Sequence, residues 1–148
     1  MGMYGPKKHS KARGECSEAA IVARLLEIGY GVLIPFGDSY RYDLVIEDAD
    51  NKFWRVQCKT AWIGLEGAVL NFNAVSNHYH YSYKEQKSVN RRRDYRGQIE
   101  YFAVYSPDTR KVYLLPADHI ETVQVRLRLT ATKNNQEKNV KWATDYEI

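Results

Sequence analysis

Two β-rich runs around a short polar segment constrain this chain more than any other feature. Arg41-Tyr42-Asp43-Leu44-Val45-Ile46 and Phe53-Trp54-Arg55-Val56-Gln57-Cys58-Lys59-Thr60 flank Glu47 to Lys52, a linker holding Asp48, Asp50 and Asn51. The pattern predicts a β-hairpin. Side chains alternate across a strand, so Phe53, Arg55, Gln57 and Lys59 share one face and Trp54, Val56, Cys58 and Thr60 the other. One face is able to pack, and the other presents polar groups. Pairing the two runs sets Asp43 beside Gln57 and Lys59. A carboxylate, an amide carbonyl and an ammonium in one small region suit a hard metal ion and a phosphate. The same three residues also describe the exposed polar face of an ordinary strand.

With 148 residues, the chain predicts one domain with a core of its own. Its net charge of +4 is unevenly placed. Met1 to Arg13 carries Lys7, Lys8, Lys11 and Arg13 with no acid, and Lys84 to Arg96 carries six basic residues against Glu85 and Asp94. Together these stretches hold +8, which leaves the remainder at −4. That asymmetry is what a basic edge for a polyanion looks like, and it is also what a solvated charged surface looks like. Cys16 and Cys58 lack metal-type spacing and read as free thiols in a reducing compartment. No apolar run approaches a membrane span, and the basic N-terminus lacks the apolar core of a secretion signal, so the expected setting is intracellular, cytoplasmic or nucleoid-associated.

In chain order, residues 1–13 read as a flexible basic arm. From Glu15 the pattern is helical, with Glu18, Ile21, Val22, Leu25 and Leu26 at spacings of three and four and Gly29 as a stop. Glu18 lies on the apolar stripe, where a carboxylate needs a partner or a metal. The other reading places it in the first turn, where the helix dipole favours it. Strands are predicted at Val32 to Phe36, Tyr42 to Ile46, Phe53 to Thr60 and Ala68 to Asn73, after a turn at Gly64 to Gly67. Ile99 to Tyr105 is a nearly continuous apolar run and predicts a strand covered on both faces. Val112 to Leu115 and Val123 to Leu129 add two more, and Trp142 and Tyr146 are expected to pack the C-terminus onto the body.

Residues 76–97 interrupt that order. His78, Tyr79, His80, Tyr81 and Tyr83 are followed by Lys84, Lys87, Arg91, Arg92, Arg93, Tyr95 and Arg96. Aromatics interleaved with cations stack on bases or sugars and contact phosphates, and a long insertion in a small domain is functional or disordered. A DNA-contacting, partly helical segment is expected.

With Glu18 on a helix, Asp43 on one strand and Gln57-Cys58-Lys59 on the next, the chain resembles the PD-(D/E)XK nuclease superfamily. More narrowly it is similar to the small endonucleases associated with group I introns, which share a pattern with archaeal Holliday junction resolvases. Gly14-Glu15-Cys16-Ser17-Glu18-Ala19, Leu33 to Asp38, Arg41 to Val45, Arg55 to Thr60, Tyr95-Arg96-Gly97, Phe102 to Tyr105 and the closing Trp142 to Ile148 carry the likeness. It covers most of the chain from Gly14 onward.

The resemblance implies an α/β fold, a restriction-endonuclease-like mixed sheet flanked by helices, spanning residues 14–148. It makes Asp43 the central metal ligand, Glu18 the supporting carboxylate, Gln57 a ligand through its amide oxygen, and Lys59 the group that orients water and steadies the scissile phosphate. Tyr42 stands where the motif has proline, and Gln57 where it has an acid; an amide coordinates Mg²⁺ without adding charge. The activity implied is a Mg²⁺-dependent DNA endonuclease of homing type, with Mn²⁺ substituting, acting on double-stranded DNA as a homodimer or homotetramer. DNA contacts are expected from Lys7, Lys8, Lys11, Arg13, Arg41, Tyr79, Tyr81, Lys84, Lys87, Arg91, Arg92, Arg93 and Arg96. The alternatives are a structure-specific nuclease akin to junction resolvases and a DNA-binding module whose catalysis has decayed at Gln57.

Overall fold

The computed structural model describes residues 10–148. Helix α1, Ser10–Glu27, begins earlier than the periodicity suggests. Lys11 and Arg13, assigned to the arm, are therefore helical and exposed, while Lys7 and Lys8 lie outside the described residues. Ser17, Ile21 and Leu25 recur every four residues and are buried. Leu26, expected on that stripe, is 55% exposed, because one residue is a turn of roughly 100° round the helix. At the C-terminus Tyr30 N–H donates to Leu25 O at 3.0 Å and Gly29 N–H to Leu26 O at 3.1 Å. Gly29 has φ +102°, a left-handed conformation that costs glycine nothing, so the helix stops there as expected.

The strands that follow are β1 Gly31–Leu33, β2 Leu44–Glu47, β3 Phe53–Thr60, β4 Trp62–Gly64 and β5 Val69–Asn73. Next come β6 Ser76–Ser82, β7 Lys87–Arg93, β8 Tyr101–Ser106, β9 Lys111–Pro116 and β10 Gln124–Arg128. The main sheet has the order β1-β2-β3-β8-β9. Only its central β3–β8 pair is parallel, so the sheet is mixed. The predicted hairpin is β2–β3, with Leu44 opposite Val56. Asp48 shapes its turn: its Oδ1 accepts the N–H groups of Asp50 and Lys52, and its Oδ2 accepts Trp54 Nε1–H.

Alternation then divides the sheet between two cores. Val56 on β3, Ala103 on β8 and Val112 on β9 pack with Ile21 and Leu25 of α1. Phe102 and Val104, Tyr113 and Leu115 point the other way, against Leu70, Phe72, Val125 and Leu127. Those last four belong to a second sheet, β10-β5-β4. The expectation of flanking helices thus holds for one face; β10-β5-β4 covers the other. The apolar run of β8 is explained by these two coverings. Fully burying each such aliphatic side chain stabilises the fold by about 1.5–3 kcal/mol. The C-terminus does pack back, through bridges Arg128–Trp142 and Tyr113–Glu147.

Residues 76–97 differ from expectation. They are not partly helical but form the antiparallel hairpin β6–β7, from Ser76 opposite Arg93 to Ser82 opposite Lys87. Histidines and tyrosines alternate with a period of two, and Gln86 at φ +49° closes the turn. Strand β1 is also shorter than predicted, and Phe36 at its expected end is wholly exposed.

Candidate active site

Asp43 immediately precedes β2, at the end of the sheet. Its N–H donates to Val56 O at 2.9 Å, and its carboxylate Oδ2 accepts Cys58 N–H at 2.8 Å. The N–H of a strand residue lies in the plane of its sheet, so the Asp43 carboxylate is held in that plane beside β3. Gln57 and Lys59 project from β3 on the face of the second sheet, opposite Phe102 and Val104 in register. Glu18 approaches from the helix side. The Thr60 hydroxyl, 2.6 Å from Ser17 Oγ, ties α1 to the end of β3, and Ser17 Oγ donates in turn to Arg13 O at 3.0 Å. Glu18, the next residue on α1, is half-buried and near enough to Asp43 to feel its charge.

The electrostatics follow from this convergence. Burial raises the Asp43 carboxyl above its usual range, against the opposing Cys58 N–H and Lys59 ammonium. Glu18 is raised first by burial, then by the Asp43 and Glu15 carboxylates. Burial also pushes the Cys58 thiol well up, helped by Asp43 and Glu18, so this cysteine is an inert filler of the helix-side core. Two carboxylates with raised affinity for a proton are groups that a divalent cation relieves.

Among the described residues no three His, Cys, Asp or Glu gather in a metal-binding cluster. The oxygens available here come from two acids, Asp43 and Glu18, and one amide, Gln57. Gln57 makes only a long contact, Nε2 to Cys58 O at 3.5 Å, so its side chain is not locked into the protein. Lys59 Nζ donates to Val75 O and to Tyr95 OH, each at 3.2 Å. The four residues singled out in sequence therefore meet at one end of β3. Tyr95, Ser17 and Thr60 were not singled out as site residues, and their contacts span 36 and 43 positions in the chain.

The other candidates are distributed around this centre. Arg41 donates to Gln98 Oε1, Ser76 Oγ and Asp94 O, all at 2.8 Å, and its guanidinium lies 4.3 Å from the Tyr95 ring centroid. Its donors clamp the base of the β6–β7 hairpin. On that hairpin His78, His80, Lys87, Arg91 and Arg93 share one face by register, and Asn77, Tyr79, Tyr81, Ser88, Asn90 and Arg92 the other. Tyr79 and Tyr81 are exposed, as are Lys84 at the tip, Arg91 to Arg93 and Arg96.

No curated protein matches the sequence at a significant level. In fold, the chain is similar to the solved structure of a bacterial homing endonuclease, I-Ssp6803I, with a TM-score of 0.67 and 22% identity over 95% of this chain and 89% of that one. The family model described as PD-(D/E)XK endonuclease matches residues 8–148. With that match over nearly its whole length, the chain belongs to the PD-(D/E)XK endonuclease family.

Proposed function

We propose that this protein is a Mg²⁺-dependent endonuclease of homing type that hydrolyses phosphodiester bonds in double-stranded DNA, with Mn²⁺ able to substitute. The observation that carries this reading is the convergence of Glu18, Asp43, Gln57 and Lys59 from three directions on one end of β3. The donor set fits a hard cation: two carboxylates raised by burial, and a loosely held amide oxygen. Bound there, Mg²⁺ supplies a Lewis acid for the phosphate and a more acidic water. Asp43 would contribute its carboxylate, one oxygen of which also accepts Cys58 N–H. Lys59 places a fixed positive charge where negative charge develops on the phosphate.

DNA binding is assigned to the β6–β7 hairpin, where a face of Lys87, Arg91 and Arg93 suits phosphates. Lys11 and Arg13 on α1 extend the basic edge; Lys7 and Lys8, outside the described residues, are assigned to DNA contact from their charge alone. One chain holds one such site, so cutting both strands calls for a homodimer or homotetramer. The setting is intracellular, where the DNA is.

Nicking and cleavage of supercoiled plasmid with Mg²⁺ or Mn²⁺ test the reading, with a four-way junction as a second substrate. Wild type is expected to cut, and Asp43→Ala to be inactive. Equal activity of the two would sink the site assignment. Gln57, an amide where the motif carries an acid, favours a second reading, a DNA-binding module without catalysis. Activity confined to Gln57→Glu would establish that reading.

A further inference from the structure

Both legs of the β6–β7 hairpin end on the ammonium of Lys59. Val75 immediately precedes β6 and Tyr95 follows β7 by two residues. Val75 O and Tyr95 OH each accept from Lys59 Nζ at 3.2 Å. Arg41 bridges the same two legs through Ser76 Oγ and Asp94 O. Between Asn77 and Arg92, by contrast, no hydrogen bond or ion pair joins the hairpin to the rest of the described residues. A load on the hairpin is therefore passed to the body at its base, and the base holds Lys59.

Tyr95 is built for a fixed post. It is 6% exposed, and its ring meets Phe102 of β8 edge-on at 5.7 Å. Its phenol reaches the Lys59 ammonium, which stands 4.9 Å from the ring centroid. No carboxylate among the described residues pairs with Lys59, so Val75 and Tyr95 are what fix it. An ammonium has three donors. Two are committed here, and the third is left for the phosphate. A cavity lined by Val75, Tyr95, Phe102, Ile120 and Val123 opens beside the pivot, giving the two legs room to shift.

We propose that Tyr95 is a positioning residue for Lys59, and that the hairpin legs, through Val75 and Tyr95, couple the seating of the hairpin on DNA to the placing of the Lys59 ammonium. This rests on the proposed function, since it takes Lys59 as catalytic and the hairpin as the DNA-binding element. Recognition and chemistry are then joined in one side chain: a hairpin that seats poorly leaves Lys59 misplaced, and cleavage fails although the protein is bound.

The test compares wild type, Tyr95→Phe and Lys59→Ala. It measures melting temperature, affinity for a short mixed-sequence duplex, single-turnover cleavage of supercoiled plasmid with Mn²⁺, and the Lys59 Cε resonance in protein carrying ¹³C-labelled lysine. That resonance is identified as the signal lost in Lys59→Arg. Phenylalanine keeps the ring and its packing on Phe102. Tyr95→Phe is expected to melt and bind as wild type, to cut slower by on the order of tenfold to a hundredfold, as displacement of a catalytic group does, and to move the Lys59 signal. Adding the duplex is expected to move that signal in wild type and to move it less in Tyr95→Phe. Wild-type cleavage by Tyr95→Phe with Lys59→Ala inactive would overturn the positioning role and leave the proposed function standing. Wild-type cleavage by Lys59→Ala would overturn both. A Tyr95→Phe protein that melts lower with the Lys59 signal unmoved would make Tyr95 a core residue only.

Discussion

The Asp43 carboxylate takes the Cys58 main-chain N–H at 2.8 Å, at a point where β2, which starts at Leu44, offers β3 no carbonyl. A backbone donor of the sheet is thus satisfied by the residue that heads the candidate site. Two demands fall on one side chain, and substitutions separate them.

Asp43→Asn keeps an oxygen for Cys58 N–H, while Asp43→Ala leaves that donor unmatched, at a cost of about 1–3 kcal/mol. Both are expected to be inactive, but they differ in stability. Burial raises the Asp43 carboxyl, so the folded state holds its proton to higher pH than the unfolded state does. Wild-type stability therefore falls as pH rises from the ordinary carboxylate value of 3.8 through the raised one, and the penalty is complete above it. Asp43→Asn removes the penalty. Its metal-free melting temperature is expected to exceed that of wild type at neutral pH and to match it in acid. Melting curves across pH check this, and a variant less stable than wild type at neutral pH would contradict it.

Gln57→Glu adds a third carboxylate beside Asp43 and Glu18, two groups already held above their usual range. The metal-free protein is expected to melt lower, and Mg²⁺ to bind on the order of tenfold tighter or more, since ligand charge count sets the affinity of such sites. Titration calorimetry and melting with and without Mg²⁺ read both effects. Unchanged Mg²⁺ affinity would place the Gln57 side chain outside the coordination sphere.

Asp43, Gln57 and Lys59 were legible because the strand period puts Gln57 and Lys59 on one face, and the hairpin pairing, with its turn shaped by Asp48, sets Asp43 beside them. Glu18 was half legible: helical periodicity put it on the buried stripe, but the Ser17–Thr60 contact that ties its helix to the end of β3 joins residues 43 apart. The β6–β7 hairpin was misjudged as partly helical. Its two faces are both polar, so the apolar alternation that betrays a strand was missing. Arg41 read equally as a phosphate contact or a surface arginine; the fold engages three of its five N–H donors with Gln98, Ser76 and Asp94, partners no local pattern reveals. Tyr95 stood out only as part of Tyr95-Arg96-Gly97 in the family likeness; its contact with Lys59, 36 residues away, had no local signal.

The register of the hairpin divides its arginines: Arg91 and Arg93 stand opposite His78 and Ser76 on one face, and Arg92 stands opposite Asn77 on the other. If the first face meets the phosphates, Arg91→Ala with Arg93→Ala should lower the slope of log affinity against log salt by about 2, at about 0.9 per phosphate contact. Arg92→Ala should leave the slope nearly unchanged. Binding isotherms on one mixed-sequence duplex over a salt series decide it. Equal effects of the two variants would mean that the duplex does not lie along one face.

Glu100 precedes β8 and accepts, through its carboxylate, both the Arg55 main-chain N–H at 2.7 Å and the Arg55 guanidinium. In return Glu100 N–H donates to Arg55 O at 2.9 Å. This exchange sets the start of the parallel β3–β8 ladder, four residues before Lys59. The hydrogen bond from Arg55 lowers the Glu100 carboxyl below its ordinary value of 4.5. Its contribution to stability is therefore complete above that value and is lost as pH falls through the lowered one. Both side chains are partly exposed, at 40% and 32%, so solvent screening limits the pair to about 1 kcal/mol or less. Glu100→Gln is expected to melt below wild type at neutral pH, with the gap closing in acid. Cleavage should fall too if the ladder's start governs where β3 carries Lys59. Melting curves from neutral to acid pH, paired with plasmid cleavage, separate the two effects: a stability gap with full activity would show that the strand ends are set independently.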